Sequence, residues 1–463
     1  MTIYAIVLGI VVGTLCVVTV VKTFGIKNRA DFLVAGRKLP WWVLVFTLLS
    51  SWIGAGSLFA GGENAYKNGY AALWQPAGGW AGLIVIALIA GRARRFAQFT
   101  VPDLLETRYN ATARVMATIA IVISYTIITS YQFIGGGDVL NLIFPSLDRV
   151  TGRYIIASFV IVFTAAAGMA SVAYLDLIIG GLVTTIVVIA VPLLLKDVGG
   201  WSQVTANLPA SHFQVLGNVT IWQALGFMIP TMLLLIGNQG MYQKFFSARS
   251  ERDAKFAVYG WIVGTVLLET LLITLAVIGS SKFHTDRPRE IIPLSARQGL
   301  PVVVGAILLG GIFAKVISTA NNYLFSPATN LIHDVYERFI DRKATQKRTL
   351  IVSRVLVAAL GLFALLQATQ FDSVLKASLY AYTVYGAAVT PAVMAVFFWK
   401  RATTQGAVVS ILLGTLVTVG WNLGQHELDA VYPALAASVA SLVLVSLFTA
   451  PPPPEKWKPF FES

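Results

Sequence analysis

Residues 50–62 read SSWIGAGSLFAGG and residues 228–240 read MIPTMLLLIGNQG. Each stretch lies inside a long apolar run, and each contains residues that weaken a helix: Gly54, Gly56, Gly61 and Gly62 in the first, Pro230 and Gly237 in the second. Glycine and proline loosen the helical hydrogen-bond ladder and free backbone carbonyls and amides at membrane depth. Such groups are tolerated there only where they line a cavity or bind something. Glycines also let helices pack closely, and one such stretch alone would carry little weight. The pair is more informative, because the two runs stand five apolar runs apart.

About thirteen such runs follow one another: 3–22, 41–62, 71–91, 114–137, 153–170, 175–195, 220–242, 256–280, 300–328, 350–369, 375–398, 405–424 and 430–449. Each suits the roughly 20 residues that span a bilayer core. The expected fold class is therefore an all-α integral membrane protein with about 13 transmembrane helices. Two helices five apart begin two halves of five, and an odd number of crossings turns the second half over. This predicts a 5+5 inverted repeat with two discontinuous helices, the arrangement that places a central transport site at matching breaks. The expected division is 1–40 (an extra helix and inner loop), 41–219 (first half), 220–400 (second half) and 401–463 (two extra helices and a tail).

Charge supports the spans. Of the 34 Lys and Arg, 24 fall in loops facing one side and 9 in loops facing the other, leaving Lys315 inside a span. By the positive-inside rule the richer side is cytoplasmic, which puts the N-terminus outside and the C-terminus in the cytoplasm of a cell (plasma) inner membrane. The net charge of +13 does not point to nucleic acid, because the basic residues flank apolar runs and form no basic domain. The composition is 57% hydrophobic and 12% charged, about half the charged share of a soluble domain. The first run has no small-residue cleavage site and reads as a retained helix rather than a signal peptide. The single cysteine, Cys16, leaves no internal disulfide. His212, His284, His333 and His426 fall in loops or at helix ends, with no metal-ligand spacing. A membrane enzyme needs a clustered nucleophile, base or metal within the spans, and none is evident. A sensor would append a soluble signalling domain, and none is expected.

Several segments, in order, resemble the sodium:solute symporter family, which has the inverted-repeat fold of the bacterial leucine transporter. DFLVAGRKLPWW (31–42) resembles the loop leading into the first core helix, and AGMASVAYLDLI (167–178) the start of the fifth, with Asp176 at its characteristic aspartate. NQGMYQKFFSARSERDAK (238–255) resembles the end of the sixth, and ISTANNYLFSPATNLIHDVY (317–336) the eighth. FFWKRATTQGAVVSILLGTL (397–416) follows a family signature, with Val396 and Phe397 departing from its Gly-Leu start. The resemblance implies secondary active uptake of a small organic solute, coupled to Na⁺ or H⁺ by alternating access. It implies no cofactor beyond a bound Na⁺.

It also implies a cation site. Ser50 and Ile53 would offer backbone carbonyls from the first core helix, and Ser318 and Thr319 hydroxyls from the eighth, with Asp176 close by. One departure stands out. Lys315 replaces the small residue the family carries three positions before the first hydroxyl, on the same helix face as Ser318 and Thr319. A lysine in a span is costly unless paired. Asp176 and Glu269 are its candidate partners, and a lysine that holds the site permanently would make the protein an ion-independent facilitator or exchanger. The alternative is a structural ion pair or a lysine reaching into a wet cavity. For solute, the resemblance implies Ser57, Gln75, Gln132, Thr231 and Tyr382, with Trp74, Tyr131 and Tyr385 as aromatic walls. Pro76 stands where sugar-binding members carry a glutamate, which argues against a galactose-like mode. With no arginine in this set, a strongly anionic solute has no counter-charge.

Overall fold

The computed structural model describes residues 2–23, 37–96, 100–166, 169–424 and 426–461. Residues 31–36 and 167–168 of the resembling segments, and Lys27 and Arg29 of the charge tally, lie outside these. The architecture is all-helical among the described residues. The helices are α1 (Thr2–Thr23), α2 (Trp41–Trp52), α3 (Gly61–Asn68), α4 (Trp74–Phe96), α5 (Val101–Arg108), α6 (Ala111–Ile143), α7 (Arg149–Ala166) and α8 (Met169–Val198). They continue with α9 (Ile221–Gly237), α10 (Gln239–Ser247), α11 (Glu251–Ser280), α12 (Val302–Asn330), α13 (Gln346–Gln367), α14 (Val374–Ala388), α15 (Thr390–Phe398), α16 (Thr404–Trp421), α17 (Val431–Phe448) and α18 (Pro454–Phe461). Among the described residues, ten helical stretches are long and apolar enough to cross a membrane, or eleven if the bent pair α14 and α15 is one span. That count takes Gly56–Arg94 as one stretch and leaves Ile3–Val18 and Trp41–Trp52 as shorter apolar helices. Helix occupies each of the thirteen expected runs.

Packing shows the inverted repeat. In each half the first helix rests on the fifth: α2 on α8, and α9 on α14. The first helix of each half also packs on the second of the other, α2 on α11 and α9 on α4. The third helices, α6 and α12, pack on each other, and each touches the fifth of the opposite half. Burial follows: 78% of the apolar window of α12 is buried, against 28% for α13 and α17. The centre therefore lies between α2, α6, α9 and α12, and the last two long helices are peripheral.

The first break falls where the sequence places it. Pro40 precedes α2 in extended conformation, and the helix ends at Trp52. Ile53 then leaves helical space (φ −85°, ψ 101°), and the chain resumes as a π-helical turn, Gly56–Ala60, ahead of α3. The second break falls beside Gly237 and not at Pro230. Pro230 sits inside α9 without interrupting it, and residues 229–234 are unbroken helix. The chain bends instead at Asn238 (φ −57°, ψ 111°), whose side chain accepts from the Met241 N–H and so caps α10. An asparagine after a glycine is a helix-start signal, and it outranks the proline here because only the cap residue changes the backbone's direction.

Candidate functional site

Between the first break and α9, α11 and α14 lies a small cavity lined by Trp52, Ser57, Gln75, Thr231, Glu269 and Tyr382, with room for little more than a water molecule. The structure thus brings together Ser57, Gln75, Thr231 and Tyr382. Gln132 does not line it. Its Oε1 accepts from the Ala55 N–H at 2.9 Å and satisfies a donor that the break releases. Trp74 is not a wall either, since its indole donates to the Val215 carbonyl on the outer side. Tyr385 holds the second break: its hydroxyl donates to the Gly237 carbonyl (2.6 Å) and accepts from the Gln239 N–H (3.1 Å). Tyr131 reaches Tyr382 hydroxyl to hydroxyl at 3.4 Å.

Glu269 was expected to be free to pair with Lys315. The structure places it on this cavity instead. Its carboxylate accepts from the Trp52 indole N–H (3.0 Å), the Trp80 indole N–H (2.9 Å) and the Ser57 hydroxyl (3.3 Å). All three donors are neutral, and they come from α2, α4 and the π-helical turn.

The second polar centre joins α2, α8, α10 and α12. Asp176 is fully buried and accepts from Thr47 and Ser51 (3.0 Å each) and from Ser318. Asn322 donates to Ser51 Oγ and to the Ser318 carbonyl. Lys244, tallied above among the inner loops, is buried in α10 with its amine 3.4 Å from Asn322 Oδ1. Lys315 is fully buried, and among the described residues its Nζ has no hydrogen-bond partner. Ser50 Oγ and Thr319 Oγ1 are likewise buried without partners. Asp176 is the acid whose field reaches both lysines. Oxygen atoms and a carboxylate suit a hard monovalent cation, but the same space already holds two amines.

Two glycines of the first break connect the centres. A Cβ on Gly54 would lie 2.6 Å from Thr319 Oγ1, and one on Gly56 would lie 2.4 Å from the Tyr382 hydroxyl. Gly54 therefore touches the cation cluster and Gly56 the cavity, two residues apart. Gln132→Leu tests the support of this break. It should cost about 1–3 kcal/mol in detergent-solubilised unfolding, because it strands the buried Ala55 N–H. Stability within about 0.5 kcal/mol of wild type would show that the amide finds another partner.

A third cluster lies just beyond the C-terminal end of α12. Asp103, His333 and Asp334 approach within 4.8 Å of one another, a gathering that the sequence spacing did not suggest. Arg114 bonds both Asp103 and Asp334, which makes the group an ion network centred on a guanidinium.

Paired broken helices in inverted halves, with a cavity beside them, define a secondary active transporter. Residues 32–414 match the sodium:solute symporter family, and the chain belongs to that family. Its relatives include a high-affinity proline transporter of Bacillus subtilis (strain 168), 24% identical over 92% of this chain and 94% of that one. They also include a sodium/proline symporter of Escherichia coli (strain K12), 24% identical over 94% and 91%. Among solved structures, a Na⁺-coupled sialic acid symporter in a substrate-bound outward-open state superposes with a TM-score of 0.81 at 17% identity, covering 97% of this chain and 98% of that one. A nucleobase-cation-symport-1 family transporter in a closed conformation gives 0.60 at 13% identity, covering 94% and 99%. These likenesses identify the fold. The protein is an integral, multi-pass membrane transporter of this family and not an enzyme.

Proposed function

We propose that this protein takes up a small organic solute at the Ser57–Gln75–Thr231–Glu269–Tyr382 cavity, coupled to protons through the Asp176–Ser318–Lys315 cluster. The supporting observation is the first break, where Gly54 abuts Thr319 and Gly56 abuts Tyr382. A rearrangement of the cation cluster moves the wall of the solute cavity through two residues of backbone. The relatives named for sodium/proline symport support a solute of amino-acid size and a monovalent cation as the driving ion. Lys315 changes which cation. Its amine and a sodium ion at Ser318 and Thr319 compete for one carboxylate, so the lysine proton takes the ion's place. The working division is 41–219 and 220–400 for the two halves, with 1–40 and 401–463 outside them. The N-terminus lies outside and the C-terminus in the cytoplasm of the plasma membrane.

Proteoliposomes under separately imposed Na⁺ and H⁺ gradients test this reading. Uptake should follow the proton gradient and persist when potassium replaces sodium. Uptake driven only by sodium would retain the symporter and refute the lysine's role. Gly56→Ala should also lower uptake, because its methyl group drives Tyr382 aside. Overpacking of this kind costs about 1–3 kcal/mol, read here as a raised KM. An unchanged KM would mean that solute does not bind against Tyr382.

A further inference from the structure

We infer that the transported solute carries a protonated primary or secondary amine, and that Glu269 is its counter-ion. This rests on the reading of the cavity as the transport site. Glu269 is only 4% exposed, and its carboxylate is held by neutral donors alone. Among the described residues no lysine, arginine or histidine lines the cavity. A buried carboxylate without a cation is expensive, and a cationic ligand relieves that cost. The lining adds the indole of Trp52 and the phenol of Tyr382, whose faces attract cations.

A second observation specifies N–H groups. Gln75 is 5% exposed, lines the same cavity, and its Oε1 is buried with no hydrogen-bond partner among the described residues. Ser57 spends its proton on Glu269, and Thr231 spends its own on the Phe227 carbonyl. Glu269 and Gln75 Oε1 are therefore the acceptors the cavity offers a ligand, while the Tyr382 hydroxyl accepts from Tyr131 and keeps its own proton. A primary or secondary ammonium supplies both the charge and the two donors that Glu269 and Gln75 call for, whereas a quaternary ammonium supplies only charge and a carboxylate supplies neither.

The test uses purified protein and a size-matched panel: pyrrolidine, L-proline, tetramethylammonium, cyclopentanol and cyclopentanecarboxylate. Binding is read by quenching of tryptophan fluorescence, since Trp52 and Trp80 both bond Glu269, and by thermal stabilisation. Pyrrolidine or L-proline should bind saturably and at least about tenfold tighter than cyclopentanol, with cyclopentanecarboxylate not bound, as a charge-assisted hydrogen bond implies. Glu269→Gln should weaken amine binding about tenfold to a hundredfold. Gln75→Met should weaken pyrrolidine while leaving tetramethylammonium unchanged, a readout that survives if Glu269→Gln misfolds. Tighter binding of cyclopentanol or cyclopentanecarboxylate than of either amine, or the absence of any amine binding, overturns the inference. So does amine affinity that Glu269→Gln leaves intact while abolishing the pH dependence of uptake, since the carboxylate would then carry protons. Counterflow in proteoliposomes separates the two readings. Amine binding without counterflow refutes transport at this site, and counterflow of an acid refutes only the amine.

Discussion

Lys315→Ala is expected to abolish proton-driven accumulation and to make uptake rise with sodium, a change in the identity of the driving ion. In the native chain the lysine amine shares the neighbourhood of Asp176 with Ser318 and Thr319. Two unit charges about 4 Å apart repel by about 4 kcal/mol at an effective dielectric of about 20, close to a thousandfold in affinity. On the proposed reading, a protonated Lys315 at that distance keeps Na⁺ from those oxygens. Truncation to alanine leaves Asp176 with its hydroxyl donors, leaves Thr319 Oγ1 open to a cation and restores the small side chain that the family carries there. Lys315→Arg is the companion variant. It keeps the charge but cannot give up its proton, so it should still exchange solute and fail to concentrate it. Uptake is measured with potassium in place of sodium and with the pH gradient collapsed. Strict sodium dependence of the native protein, or loss of all transport in Lys315→Ala at every sodium concentration, would rule out the built-in cation.

The sequence was read best where function and backbone coincide. Glycines at 54 and 56 have no tolerance for a side chain, so composition alone marks the first break. Pro230 and Gly237 both marked the second break, and the bend falls beside Gly237 rather than at Pro230. Within α9 the surrounding helix absorbs it, and the decisive residue is Asn238, held by Tyr125 (3.0 Å) and Tyr323 (3.0 Å) from α6 and α12. Those partners lie more than eighty residues away in sequence, beyond the reach of local patterning. The resemblance implies Gln132 as a ligand for solute by its position alone. Its partner is the freed Ala55 amide.

Glu269 shows the same limit from the opposite side. A lysine in a span invites a search for an acidic partner, and Glu269 stands with Asp176 as a candidate for Lys315. Indole donors on two other helices satisfy the carboxylate instead. Charge tallies misled in a smaller way. Lys244, Arg108 and Arg114 add to the inward-facing excess, yet all three are buried. Arg108 caps the carbonyls of Trp399, Lys400 and Ala402 rather than lying at the lipid surface.

Arg114 carries the second large expectation. Its guanidinium bonds Asp334 through Nε (2.9 Å) and a terminal nitrogen (2.7 Å), and it also reaches Asp103 and Glu106. Asp334 is fully buried and accepts from Thr100 as well, while His333 lies 3.0 Å from Asp103. These contacts tie α5 and the start of α6 to Leu331–Ile340, the π-helical continuation of α12. Arg114→Ala leaves three carboxylates gathered around one lost cation. Breaking a buried pair from one side costs about 3–5 kcal/mol, and that loss is expected in unfolding of the detergent-solubilised protein. Arg114→Lys should recover only part of it, because a point charge cannot serve three carboxylates as a planar fork does. Arg114→Met combined with Asp334→Asn should recover more, since it removes the stranded charge along with its partner. A loss below about 1 kcal/mol in Arg114→Ala would show that water already solvates the network. The consequence reaches the transport site, because Ser318 and Lys315 stand on the same helix, with 16 residues, or roughly 24 Å at 1.5 Å per residue, between Ser318 and Asp334. This network fixes the C-terminal end of α12, and loosening it should let uptake and the cation gradient fall out of step before the fold itself is lost.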